Sequence, residues 1–128
     1  MKTKRVRDFM AQHYATVNPD QSLAAAVRII IEYHQSAAPV VDTQQQLIGF
    51  LSEADCVRAT LLEGYFNEGV ALVKDQMTTA LDTVSPDEEI SSVSEIFLNN
   101  NRRMMPVVEA GVLVGIVSRQ DILKALIN

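Results

Sequence analysis

Two short stretches set a serine three residues ahead of a carboxylate: Ser52-Glu53-Ala54-Asp55 and Ser118-Arg119-Gln120-Asp121. Placed before a helix, this spacing forms a capping box, in which hydroxyl and carboxylate satisfy backbone N–H groups left without partners in the first turn. A helix start of this kind also favours a nearby phosphate, through the same N–H groups and the helix dipole. Phosphate chemistry needs cations as well, and Asn101-Arg102-Arg103-Met104-Met105, just ahead of Pro106, supplies them together with Arg119. The first stretch differs: Gln35-Ser36-Ala37-Ala38 precedes Pro39, and Glu53 stands where Arg119 does. An acid beside a phosphate path repels it, so the two places are expected to be unequal.

Other chemistries find little material. The single cysteine, Cys56, excludes an internal disulfide and any multi-cysteine metal site, and His13 and His34 are the only histidines. Cys56 is expected to pack as a small apolar residue, and His34 to lie at a helix end, capping it or facing solvent. No serine–histidine–acid set, metal cluster or glycine-rich phosphate loop can be read, so no catalytic residue, metal or catalytic cofactor is assigned and the chain is not expected to be an enzyme. The net charge is −5, from 11 basic and 16 acidic residues. That balance argues against binding a nucleic-acid polymer or an anionic membrane. No run of 18 uncharged apolar residues occurs, and the basic start has no apolar core behind it. Together these features point to a reduced, cytoplasmic protein.

The elements that must hold the candidate residues follow from an internal repeat. Val6-Arg7-Asp8-Phe9-Met10 returns as Val73-Lys74-Asp75-Gln76-Met77, 67 residues on. Thr16-Val17-Asn18-Pro19-Asp20 returns as Thr83-Val84-Ser85-Pro86-Asp87, and Pro39-Val40-Val41-Asp42 as Pro106-Val107-Val108-Glu109, at the same offset. Leu47-Ile48-Gly49-Phe50-Leu51 returns as Leu113-Val114-Gly115-Ile116-Val117 with the offset reduced to 66. The lost residue falls between Asp42 and Leu47, which predicts a turn there, because loop tips tolerate deletion best. Pro19-Asp20-Gln21-Ser22 reads as a helix start capped by Asp20 or Ser22. Leu23, Val27, Ile30 and Ile31 follow at helical spacing, as do Ile90, Val93, Ile96 and Phe97. A β-branched run, a turn and a second apolar run predict a hairpin in each copy, and a second helix follows each capping box. The helix after Asp55 is expected to run through Val57, Ala59, Leu61 and Leu62 towards Tyr65 and Phe66. The fold class is therefore α+β, with residues 1–69 as repeat 1 and 70–128 as repeat 2. Each copy is too small to bury a good core alone, so the two are expected to pack as one pseudo-twofold unit.

The ordered set Thr-Val-x-Pro-Asp, helix, Pro-Val-Val-acid, Gly-apolar-apolar-Ser-x-x-Asp, occurring twice, resembles the cystathionine β-synthase (CBS) domain family, whose tandem pairs are called Bateman modules. The resemblance runs from about Val6 to Leu126. It implies a β-α-β-β-α fold per copy, with helices covering small mixed sheets, and a cleft between copies that takes AMP, ADP, ATP, S-adenosylmethionine or NAD-type ligands. By the same resemblance Asp55 and Asp121 are ribose ligands beside Ser52 and Ser118. The main chain at Thr16-Val17 and Thr83-Val84 pairs with adenine. Ala38-Pro39 and Met105-Pro106 lie along the ligand, with Met104 and Met105 otherwise core residues. Arg102 and Arg103 serve a phosphate, either in their own copy or across to Asp55, and Arg119 favours the Asp121 place. The implied role is a regulatory sensor that binds an adenosine nucleotide, dimerises through helix faces including Leu61, Leu62, Tyr65 and Phe66, and acts on an unidentified effector protein. The alternative is a structural or interaction module with an empty or vestigial cleft.

Overall fold

Two short β-branched runs, each opened by a proline-containing segment, each form a hairpin with the apolar run that follows. In the computed structural model, which describes residues 3–63 and 71–128 without the side chains of Leu62 and Glu63, β1 (Ala37–Val41) pairs antiparallel with β2 (Leu47–Ser52). Likewise β3 (Met104–Glu109) pairs with β4 (Val112–Ser118). The deleted residue sits where the offset places it. The first turn is held by Asp42, whose Oδ1 accepts from the N–H groups of Gln44 (2.8 Å) and Gln46 (3.0 Å). The second is a two-residue turn with Ala110 and Gly111 both at positive φ, as a tight hairpin of that length requires.

The first strand of the β-α-β-β-α order falls at each Thr-Val and is reduced to one residue. Val17 N–H donates to Pro39 O (3.0 Å) and Val41 N–H donates to Val17 O (3.0 Å), a single parallel bridge beside β1. Val84 does the same between Pro106 (3.1 Å) and Val108 (2.9 Å). Each sheet is therefore small and mixed. Helix α1 (Leu23–Glu32) buries Leu23, Ala26 and Ile30. Its N-cap is Ser22, whose hydroxyl accepts from Ala25 N–H, while Asp20 pairs elsewhere. Ile31, expected on the apolar face, is 67% exposed because the buried stripe runs through Leu23, Ala26 and Ile30 and Ile31 falls outside it. The matching helix α4 (Ile90–Asn99) buries Ile90, Val93 and Phe97, but Glu89 at its N-cap makes no side-chain cap. The capping boxes open α2 (Glu53–Glu63) and α5 (Arg119–Ile127). Along α2, Cys56 and Ala59 are buried while Val57 and Leu61 face outward. Tyr65, Phe66 and the Leu62 side chain lie outside the described residues. No helix among the described residues is long and apolar enough to cross a membrane.

The chain forms two compact units, and their boundaries differ from the repeat boundary. One unit is continuous, Ala15–Leu81; the other joins Met1–Tyr14 to Asp82–Asn128. Each repeat's leading motif docks on the other repeat's elements. A 3-10 turn at Val6–Asp8 is held by Val6 N–H to Glu88 O and Arg7 N–H to Pro86 O, both 2.9 Å, and Ala11 bridges Ile116 of β4. Short helix α3 (Val73–Gln76) repeats this on the other unit, with Val73 N–H to Gln21 O (2.9 Å), Lys74 N–H to Pro19 O (3.0 Å) and Thr78 bridging Phe50 of β2. Ion pairs follow the exchange: Lys74 with Asp20 at 3.3 Å, and Arg7 with Asp87. Here lies the reason for the two strand glycines. A Cβ on Gly49 would stand 2.5 Å from Met77 Sδ, and one on Gly115 would stand 2.7 Å from Met10 Sδ and 3.0 Å from Ala11 O. The cores divide in the same way, Leu23, Leu51 and Val73 in one, Val6, Val107 and Val117 in the other.

Candidate functional site

Both serine–acid pairs are capping boxes in the structure. Ser52 N–H donates to Asp55 Oδ2 (3.0 Å) and Asp55 N–H donates to Ser52 Oγ (3.0 Å). In the second repeat Ser118 N–H donates to Asp121 Oδ2 (2.8 Å) and Asp121 N–H to Ser118 Oγ (3.3 Å). The two carboxylates differ in what else holds them. Asp55 is buried, its Oδ1 takes Arg58 Nη1 at 3.1 Å, and the Thr78 hydroxyl lies 3.3 Å from Oδ2. Asp121 is half-buried, and its Oδ1 accepts nothing among the described residues. The cause is readable in the repeat: Lys124 and Ala11 occupy the positions matching Arg58 and Thr78. One carboxylate is saturated by its own unit; the other keeps an acceptor in reserve.

At the Thr-Val positions, the main chain of Val17 and Val84 is committed to the sheets. Thr16 and Thr83, one residue earlier, take no hydrogen bond among the described residues, so their main-chain groups are uncommitted. Ala38, Pro39, Met105 and Pro106 are all buried. Met105 is part of a hydrophobic core, packed with Val84, Val107 and Val117. A shallow depression of about 700 Å³ touches Thr16 and Val17 and is otherwise lined by Asn18–Gln21 and Val41–Thr43 with Gln45. It sits at the Val41 end of β1, whereas Ser52 pairs with Ala37 at the other end. Four residues of strand are about 13 Å, so this hollow does not gather Ser52 and Asp55.

The three arginines are also distinct. Arg102 Nη2 forms an ion pair with Asp82 of the same unit, and its Nε is shut off from solvent with no acceptor among the described residues. Arg119 folds back along the loop before β3: its Nε donates to Arg102 O (2.6 Å) and its Nη2 to Asn101 Oδ1 (2.9 Å). Asn101 holds a positive φ in that loop. Arg103 is exposed, and its guanidinium has no partner among the described residues. At the matching place in the first repeat, Gln35 is buried and bonded to the main chain of Ala15 and Ala37. Sequence reading therefore misses Asp82, Arg58 and Thr78, and the clamp that Gln35 makes. All four stand at positions whose counterparts differ between the repeats.

Cys56 packs beside Asp55 as a small apolar residue; burial, with the Asp55 and Glu53 carboxylates adding to it, pushes its thiol up to about 11. His34 is exposed at a positive φ just after the C-cap of α1. No group of three or more histidine, cysteine, aspartate or glutamate residues that could hold a metal ion occurs among the described residues.

Comparison with known proteins places CBS domains over residues 6–61 and 72–128. The protein MJ1225 of Methanocaldococcus jannaschii is 30% identical over 121 residues, 94% of this chain and 42% of that protein. CBS domain-containing protein YhcV of Bacillus subtilis is 31% identical over 117 residues, 91% of this chain and 81% of that protein. The chain thus spans under half of MJ1225 and most of YhcV. Among solved structures, CBSX2, a CBS-pair protein of Arabidopsis thaliana, in complex with AMP is 27% identical with a TM-score of 0.86, covering 97% of this chain and 96% of that one.

Proposed function

Since this chain belongs to the CBS domain family and carries two CBS domains in tandem, we propose that it is a non-enzymatic regulatory module. It binds an adenosine-containing ligand and passes the event on by a shift of conformation. The observation that carries the reading is Asp121. A half-buried carboxylate at a helix start with one unused oxygen suits the vicinal hydroxyls of a ribose, because hydrogen bonds to a carboxylate are strong and directional. Arg102, Arg103 and Arg119 belong to the same unit and supply the positive charge that a phosphate needs. The AMP held by CBSX2 supports the ligand class. AMP, ADP, ATP, S-adenosylmethionine and NAD-type molecules are the ligands to try. Signalling follows from preferential binding to one of two conformations.

Calorimetric titration of the intact chain with these ligands tests the proposal. At least one is expected to bind, and Asp121→Asn, which keeps an oxygen for the cap, is expected to weaken it about 10- to 100-fold, the worth of hydrogen bonds to a charged group. Heat from none of the ligands would remove the sensor reading.

The reading includes a cytoplasmic homodimer that acts on an effector protein. Val57 and Leu61 on α2, and Leu123, Leu126 and Ile127 on α5, are apolar and 57–86% exposed, which supports pairing through helix faces. Light scattering is expected to give twice the mass of 14.2 kDa. A second reading, an interaction module without ligand, is favoured by the saturated Asp55 and Gln35. Under it Asp55→Ala with Asp121→Ala leaves partner binding unchanged.

A further inference from the structure

Positions 15 and 82 match in the repeat, as do 35 and 102, and in both units the later residue of the pair tethers the earlier one. The chemistry of the tether differs. In the continuous unit Ala15 N–H donates to Gln35 Oε1 (2.7 Å), and Gln35 Nε2 donates to Ala15 O (3.1 Å) and Ala37 O (3.0 Å). This amide clamp is buried and offers nothing to an anion. In the other unit the clamp is the Asp82–Arg102 ion pair, with side chains 44% and 38% exposed. Arg119 anchors the Arg102 main chain, so the guanidinium is fixed at its base and committed at its tip. Asp82 stands two residues ahead of Val84, the residue that bridges to β3.

We propose that the Asp82 carboxylate is a built-in competitor for Arg102, displaced when the phosphate of a ligand arrives. The inference rests on the reading that this repeat binds an adenosine ligand, and it assigns Asp82 the role of setting preference between phosphorylated and unphosphorylated forms. Arginine pairs with phosphate through parallel N–H bonds and a higher anionic charge than one carboxylate provides. The resident pair is part-exposed and therefore weak, which makes it displaceable. Displacement unties Asp82 and the backbone leading to Val84, while the amide clamp of the first repeat stays closed. Only one of the two units then responds to phosphate.

The test uses AMP, adenosine and inorganic phosphate on the intact chain, comparing wild type, Asp82→Asn, Arg102→Gln and the double variant. Removing the competitor is expected to tighten AMP about two- to fivefold, the worth of an exposed ion pair, and to leave adenosine unchanged. In the Arg102→Gln background Asp82→Asn is expected to have no effect. Equal tightening of AMP and adenosine, or none of AMP alone, overturns the proposal. A nitrogen-15 spectrum of the Arg102 Nε–H gives a readout that needs no nucleoside. Inorganic phosphate is expected to shift this signal at lower concentration in Asp82→Asn than in wild type. If neither AMP nor adenosine binds, the sensor reading fails, and the phosphate titration still decides the competition at Arg102. Identical phosphate titrations in the two proteins overturn it.

Discussion

Replacing Gly115 by alanine tests the docking of the amino-terminal segment directly. The new methyl would meet Met10 Sδ at 2.7 Å and Ala11 O at 3.0 Å. The methionine can turn aside. The carbonyl cannot, because Ile116 N–H donates to it at 3.1 Å and Ala11 N–H donates to Ile116 O at 2.8 Å. Overpacking of this kind costs about 1–3 kcal/mol, and alanine in place of glycine in a strand returns about 0.5–1 kcal/mol. The net expectation is a loss of about 1–2 kcal/mol, or a fall in melting temperature of roughly 3–8 °C for a chain of this size. At Gly49 all three nearest atoms belong to the Met77 side chain, so Gly49→Ala is expected to cost about 1 kcal/mol less. Urea unfolding followed by circular dichroism gives both values, provided the slope with denaturant is unchanged. Double-mutant cycles then separate the contacts: coupling of Gly49→Ala with Met77→Ala should remove nearly all of its penalty, and coupling of Gly115→Ala with Met10→Ala only part. A Gly115→Ala protein as stable as wild type, or additive cycles at both sites, would show that the motifs are not seated on these strands.

Three further outcomes concern caps and titration. Ser22→Ala is expected to cost about 1 kcal/mol by removing the α1 cap, whereas Glu89→Ser should gain up to about 1 kcal/mol by giving α4 the cap it lacks, both read as urea midpoints. The Cys56 thiol rises from 9.0 to about 11, chiefly through burial, so above pH 9 the unfolded chain loses its proton while the folded chain keeps it. Stability should therefore fall between about pH 9 and 11, and a wild-type slope no steeper than that of Cys56→Ala over this range would contradict the assignment.

Much of each repeat is legible from the amino-acid order, because every signal appears twice. The hairpins follow from proline, a β-branched run and a turn that absorbs the offset of one residue. The Ser-x-x-Asp boxes form as their spacing requires. The exchange of leading motifs is not legible, for a physical reason: a perfect repeat is symmetric under it. Arg7 could pair with Asp20 and Lys74 with Asp87, keeping each copy self-contained, or Arg7 with Asp87 and Lys74 with Asp20, and the local chemistry is identical. The structure has the second arrangement. The inequality of the candidate site is better marked in the sequence than the conserved-looking motif suggests. Arg58 and Thr78 against Lys124 and Ala11, and Gln35 against Arg102, separate a saturated carboxylate from an open one. What hides them is that each lies outside the serine–acid motif and reaches its partner only through the fold.

The bridge from Ala11 to Ile116 links residues 105 positions apart in the chain. The continuous unit ends at Leu81 and contains all of its own pieces, so it is complete before Asp82–Asn128 has been added. At roughly 5–20 residues per second, the segment carrying Val6 and Met10 waits about 5–20 s for the strand it covers. Closing so long a loop adds little to the equilibrium cost, since the entropy grows only with the logarithm of its length, but contacts this distant slow folding. The Val6–Met10 segment thus docks only after the elements that follow it in the chain have been made. An amino-terminal extension would be held close to β4, the strand that leads into the Ser118–Asp121 box.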